Sequence, residues 1–224
     1  MSNQQTSKVR ILSIDGGGIR GIIPGTIVQY LETRIRAITG NREAKIGEYF
    51  DLIAGTSTGG ILTSIYLMPD ETNEGKAKFS ATDAVQLYMQ HGNKIFNKNF
   101  WQQFKNFNLW NEGFPSDNLE KLLEEYLGNT TLSQLIRPCL ISAYNFYERR
   151  AAFFNSADSR RLEGHVRDFK IKHVARATSA APTYFEPAMI YSLSEAPQYL
   201  IDGGVFVNNP ALCAYSEARS LNFS

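Results

Sequence analysis

The feature that most narrows the folds open to this chain is Gly55-Thr56-Ser57-Thr58-Gly59, set directly after the apolar run Asp51-Leu52-Ile53-Ala54. A short buried strand here must turn sharply into the helix Gly60-Ile61-Leu62-Thr63-Ser64-Ile65-Tyr66-Leu67, which stops before Pro69. Small residues at Gly55 and Gly59 let neighbouring backbones approach too closely for a Cβ, and Ser57 is held clear with its Oγ exposed. That is the pattern of a nucleophile elbow, and it points to a serine acyl-transfer enzyme on an α/β framework. A plain strand-to-helix turn would also carry Gly and Ser, but the apolar strand before and the buried helix after favour the elbow.

A second glycine-rich turn lies upstream, where the predicted strand Val9-Arg10-Ile11-Leu12-Ser13-Ile14 runs into Asp15-Gly16-Gly17-Gly18-Ile19-Arg20-Gly21. Successive glycines let backbone N–H groups converge on one point, which suits a phosphate or the oxyanion of a tetrahedral acyl intermediate. Gly16, Gly18 and Gly21 also satisfy the dinucleotide pattern G-x-G-x-x-G, so a nucleotide-binding protein is the rival reading. Against it, the acidic residue required about 20 positions on should end a second strand, whereas Glu43 lies in the polar stretch Gly40–Lys45. No phosphate-loop lysine signature follows either. Arg20 would hold a lipid phosphate or steady the glycine loop through its carbonyls, and the loop-stabilising role is favoured.

The third feature is Asp202-Gly203-Gly204 after Gln198-Tyr199-Leu200-Ile201, again a strand delivering a polar residue to a glycine turn. A carboxylate there is either a general base or a turn former bonded to its own backbone. The only histidines, His91, His165 and His173, all precede Asp202, so a triad in the order Ser, Asp, His cannot be completed with Asp202. His91 and His173 are expected to be surface or structural residues.

Taken in order, Asp15–Gly21, Gly55–Gly60 and Asp202–Gly204 resemble the patatin-like phospholipase family, from about Lys8 to the end of the chain. The block Ala175-Arg176-Ala177-Thr178-Ser179-Ala180-Ala181-Pro182-Thr183-Tyr184-Phe185 looks like that family's helix-to-loop segment between nucleophile and acid. The resemblance implies a three-layer α/β sandwich with a mostly parallel central sheet, related to the cytosolic phospholipase A2 catalytic domain. It implies a Ser–Asp dyad, with Ser57 as nucleophile, Asp202 as base and Gly16, Gly17 and Gly18 as the oxyanion hole. The implied activity is hydrolysis of fatty-acyl esters of phospholipids or other glycerolipids without a cofactor. A non-catalytic lipid-binding module stands as the other alternative, because fold and activity are separable.

Composition fits this reading. The 224 residues suffice for one substantial α/β core, and 43% hydrophobic with 20% charged residues is ordinary for a globular domain. A formal net charge of +1 and no long basic run give no nucleic-acid signal. No apolar span is long enough to cross a bilayer and no secretory signal is visible, so the expected location is the cytoplasm, with the lipid substrate met at a membrane or micelle surface. No metal-ligand spacing is present, and Cys139 and Cys213 read as reduced core residues rather than a bridge.

Residues 1–7 are expected to form a disordered tail and residues 8–224 one catalytic domain, either cut short at its C-terminus or a short variant of it. The first helix is predicted over Pro24–Ile38, with Ile27, Leu31, Ile35 and Ile38 facing the core and Gly40 as its stop. Ser80 and Asp83 should cap a helix over Ala81–Phe96, and Ser116 another whose Leu119, Leu122, Leu123, Tyr126 and Leu127 turn inward. Further strands are predicted at Cys139–Asn145, Ala151–Asn155 and Met189–Ser192. Phe96, Phe100, Trp101, Phe104, Phe107, Trp110 and Phe114, interspersed with lysines, read as core packing or as an acyl pocket or interfacial surface.

Overall fold

Residues 8–95, 117–221 and 223 are described by the computed structural model. The N-terminal tail, Ser116 and the aromatic segment Phe96 to Phe114 lie outside the described residues.

Six strands form one sheet: β1 (Ile11–Ile14), β2 (Leu52–Thr56), β3 (Cys139–Asn145), β4 (Arg150–Asn155), β5 (Ala188–Tyr191) and β6 (Pro197–Asp202). Their order is β1-β2-β3-β6-β5, with β4 paired to β3 off this path. The β1–β2 and β2–β3 pairs are parallel, and the other three pairs are antiparallel. By direction, β1, β2, β3 and β5 all run one way, so the sheet is mixed but mostly parallel. All five residues of β2 are buried, which is why its sequence is a continuous small or apolar run instead of an alternation.

The helices are α1 (Ile22–Thr39), α2 (Thr58–Tyr66), α3 (Ala81–Ile95), α4 (Asp117–Leu127), α5 (Ser156–Arg161), α6 (Ile171–Thr178) and α7 (Ala211–Ser220). On one sheet face Ile53, Ile141 and Ala143 pack into a core with α2 and α6, and α1, α3 and α4 complete that layer. On the other face Leu52, Ala54 and Leu140 meet Ala214 of α7 in a smaller cluster. The two-residue period of β2 and β3 thus serves two cores, and the result is a three-layer α/β sandwich.

Most predicted helix ends are present. Gly40 closes α1 in the left-handed conformation at φ 68°. Ser80 Oγ accepts the Asp83 N–H while Asp83 accepts the Ser80 N–H, a reciprocal cap at the start of α3. Cys139 is buried, Cys213 is partly buried, and both thiols are free.

The buried face of α1 differs from the prediction. Of the four residues expected inward, Ile35 packs against the core, whereas Leu31, Ile27 and Ile38 are 37%, 63% and 76% exposed, and the buried positions are Gly25, Val28 and Glu32. Apolar residues are spread around most of this helix, so hydrophobic periodicity could not select a face. A buried carboxylate selects it: Glu32, 1% exposed, accepts the backbone N–H groups of Ile46 and Ala81 and pairs with Arg36 at 2.7 Å. Glu32 thereby ties α1 to the start of α3 and to the turn before β2. Glu32→Ala would orphan two buried N–H groups and break a largely buried pair, at an expected cost of about 3 kcal/mol or more. Urea denaturation followed by circular dichroism measures that loss, and a cost within experimental error would mean Glu32 does not hold α1 in place.

Candidate active site

The register of β3 brings the two candidate catalytic residues together. β4 covers one edge of β3 from Leu140 to Asn145, so β2 and β6 must share the other edge. β2 runs parallel to β3 and its end, Thr56, lies opposite Ser142. β6 runs antiparallel and its end, Asp202, lies opposite Ala143. Two strands pointing at each other along one edge therefore stop at adjacent residues of β3, and the turns beyond them meet.

Ser57 occupies that turn after β2 with φ 56° and ψ −123°. A side-chain-bearing residue at such angles costs on the order of 1–3 kcal/mol and persists only where surrounding contacts enforce it. The glycines of the pentapeptide make the turn sterically feasible. A Cβ on Gly55 would stand 2.2 Å from the Gly59 carbonyl oxygen, and one on Gly59 would stand 2.1 Å from that of Ile14. The hydroxyl is less open than an elbow alone predicts, with Ser57 only 8% exposed. Gly16 lies over it so closely that a Cβ there would come within 3.1 Å of Ser57 Cβ.

Ser57 Oγ donates to Asp202 Oδ2 at 2.6 Å. The other carboxylate oxygen, Oδ1, accepts the Gly204 N–H at 2.7 Å. One carboxylate oxygen thus faces Ser57, the contact a base would need, while the other makes the turn-forming bond to its own following backbone. Burial pushes the Asp202 pKa up from its ordinary value, against the opposing hydrogen bonds from Ser57 and Gly204. Val205 and Phe206, which follow in the chain, are 52% and 39% exposed. The enclosed neighbours are Ala143, opposite Asp202 in the sheet, and Ala180, whose carbonyl accepts the Asp202 N–H at 3.0 Å.

The glycine loop is pinned to the segment after Asp202. Gly16 N–H donates to the Asn208 carbonyl at 3.1 Å, and Asn208 Nδ2 donates back to the Gly16 carbonyl at 3.3 Å. The Gly16 N–H, one of the three donors expected for an oxyanion, is thus engaged with Asn208. Arg20 Nε reaches the Gly17 carbonyl at 3.4 Å, in keeping with a loop-steadying role. Asn208 and the adjacent Asn209, which donates to Asp15, escaped the sequence reading. Their closeness to Asp202-Gly203-Gly204 was the available signal.

The histidines serve elsewhere. His91 lies edge-on to Tyr126, exposed His165 faces Asp168 at 3.9 Å, and half-buried His173 lines a cleft with Glu124 and Arg176. Two surface clefts, of about 250 and 350 Å³, are not lined by Ser57 or Asp202, so neither is assigned to an ester at the dyad. Among the described residues no group of three or more His, Cys, Asp or Glu is placed to hold a metal ion, and no helix is long and apolar enough to cross a membrane.

A family model described as patatin-like phospholipase matches residues 12–215, a span that contains the glycine loop, the elbow and Asp202. The chain belongs to the patatin-like phospholipase family. It is similar to patatin-like protein 3 of Arabidopsis thaliana, 37% identical over 93% of this chain and 51% of that protein. Patatin group J-1 of Solanum tuberosum is 38% identical over 95% of this chain and 54% of its own length. A third relative, probable inactive patatin-3-Kuras 1 of Solanum tuberosum, is 35% identical over 95% of this chain and 55% of its own. The chain spans about half the length of these patatins. VipD from Legionella pneumophila aligns over 91% of this chain and 47% of its own, with a TM-score of 0.42 at 12% identity. Since one relative is named inactive at nearly the same identity as the others, patatin membership alone does not decide activity, and the site must.

Proposed function

We propose that this patatin-like domain is a serine lipid acyl hydrolase, cleaving fatty-acyl esters of phospholipids or other glycerolipids through an acyl-enzyme on Ser57. The observation that carries the reading is the 2.6 Å bond from Ser57 Oγ to Asp202 Oδ2 at the tip of a strained elbow. In the first step Oγ attacks the ester carbonyl as its proton passes to Asp202. The carbonyl oxygen becomes an oxyanion facing the N–H groups of Gly17 and Gly18, while Gly16, bonded to Asn208, fixes the loop. The alcohol departs with the proton from Asp202. Water then attacks the acyl-enzyme, again losing its proton to Asp202, and the fatty acid leaves as Asp202 returns that proton to Ser57 Oγ.

A carboxylate is ordinarily a weak base at neutral pH, so a raised pKa improves its match to the task. Only the ionised form accepts the proton, which sets the sign of the pH dependence. Hydrolysis is expected to rise with pH along a limb whose midpoint lies above the ordinary carboxylate value. A pH profile of kcat/KM measures it, and a midpoint below that value would contradict Asp202 as the base.

The nucleotide reading is disfavoured by the close fit of Gly16 over Ser57 and by the commitment of its N–H to Asn208. A fluorophosphonate probe and a panel of phospholipids, galactolipids and acylglycerols test the proposal. Labelling of Ser57 together with release of fatty acid supports it. Lipid binding without labelling would make the chain a non-catalytic lipid-binding module.

A further inference from the structure

Helix α6 ends beneath the elbow, and its last residue, Thr178, is completely buried. Its Oγ1 accepts the Ser57 N–H at 2.8 Å and donates to the Ser142 carbonyl at 2.6 Å. One hydroxyl thus spans the nucleophile's backbone and the β3 residue opposite the end of β2. Two residues on, the Ala180 carbonyl accepts the Asp202 N–H at 3.0 Å. The turn leaving α6 therefore holds the main chain of both members of the dyad.

We propose that Thr178 is a positioning residue for the reaction, acting through Ser57. The inference rests on the Ser57–Asp202 reading of the site and adds to it the group that holds Ser57 at its angle. At φ 56° the elbow backbone has left the strand ladder and has not entered α2, so neither regular element supplies a partner for the Ser57 N–H. The Thr178 hydroxyl supplies it, and its own proton is consumed by Ser142, which leaves a lone pair aimed at Ser57. A buried polar network surrounds this contact. Thr56 Oγ1 lies 2.7 Å from Ser142 Oγ and 2.8 Å from the Val207 carbonyl, on the segment that follows Asp202. The Thr178 methyl has a separate packing role, because a Cβ on Gly60 would approach Thr178 Cγ2 to 2.7 Å. Hydroxyl and methyl can therefore be tested apart.

Thr178→Val keeps the shape and removes both hydrogen bonds, whereas Thr178→Ser keeps the bonds and removes the methyl. The experiment measures the second-order rate of fluorophosphonate labelling, together with kcat and KM on a soluble short-chain ester and the melting temperature of each variant. For Thr178→Val we expect labelling and kcat to fall on the order of a hundred-fold with KM little changed, the signature of a displaced nucleophile. For Thr178→Ser we expect rates on the order of wild type despite a lower melting temperature. If Thr178→Val does not fold, Thr178→Ala beside Thr178→Ser carries the same contrast, because both lack the methyl that packs on Gly60. Wild-type rates in a hydroxyl-free variant, or equal crippling of Thr178→Ser, would overturn the inference and leave the dyad intact. A wild-type protein that takes no label would instead overturn the hydrolase reading, and the inference with it.

Discussion

Ser57→Ala is expected to abolish ester hydrolysis and fluorophosphonate labelling, because it removes the one hydroxyl of this turn that is hydrogen-bonded to Asp202 and would accept the acyl group. Loss of the nucleophile in a serine hydrolase lowers kcat on the order of a million-fold. The fold should persist. Ser57 is small, so its truncation opens little space, and the change removes one hydrogen bond to a buried carboxylate, worth about 1–3 kcal/mol. The elbow's other contacts, including the Ser57 N–H bond to Thr178, involve backbone and remain. Far-ultraviolet circular dichroism close to that of the parent, with no fatty acid released from any lipid that the parent cleaves, is the expected pair of results. A mutant that hydrolyses at near the parental rate would exclude Ser57 as the acyl acceptor.

Asp202→Asn separates the base from the shape. The amide can still accept the Gly204 N–H through its oxygen, but it cannot take the Ser57 proton. Positioned acid–base groups contribute about a hundred- to ten-thousand-fold, so kcat should fall by that order while KM changes little. Stability should move the other way. A carboxyl whose folded pKa is raised contributes stability below its unfolded pKa, and that contribution is lost as pH rises through the folded pKa. At neutral pH the parent therefore bears the cost of a buried charge that the amide lacks, and Asp202→Asn should melt no lower than the parent. His173→Ala is the control: the residue lines a cleft not shared with Ser57, and its loss should change kcat little. A crippling histidine change beside a mild Asp202→Asn would mean the base is misassigned.

Several parts of this architecture are local and were legible in the chain. The elbow, the glycine loop and Asp202-Gly203-Gly204 each consist of a strand and the turn that ends it, and the residues that make such turns feasible are adjacent in sequence. The caps of α3 and the left-handed stop at Gly40 are local for the same reason. The face that α1 buries was not legible, because a glutamate chose it through partners in the turn before β2 and at the start of α3. No hydrophobic pattern encodes that choice.

From the sequence alone come the candidate nucleophile, the family resemblance and the order of the motifs, all properties of short windows with fixed turn chemistry. The partnership of Ser57 with Asp202, 145 positions away, depends on β2 and β6 ending at neighbouring residues of one edge of β3. The Thr178 contact spans 121 positions and depends on α6 ending beneath that same edge. The tertiary structure also assigned the Gly16 N–H to Asn208 and the burial of Asp202 to the sheet and Ala180. Hydrogen bonding and desolvation of this kind act through space over a few ångströms, and a linear pattern carries no record of which distant backbone will arrive there.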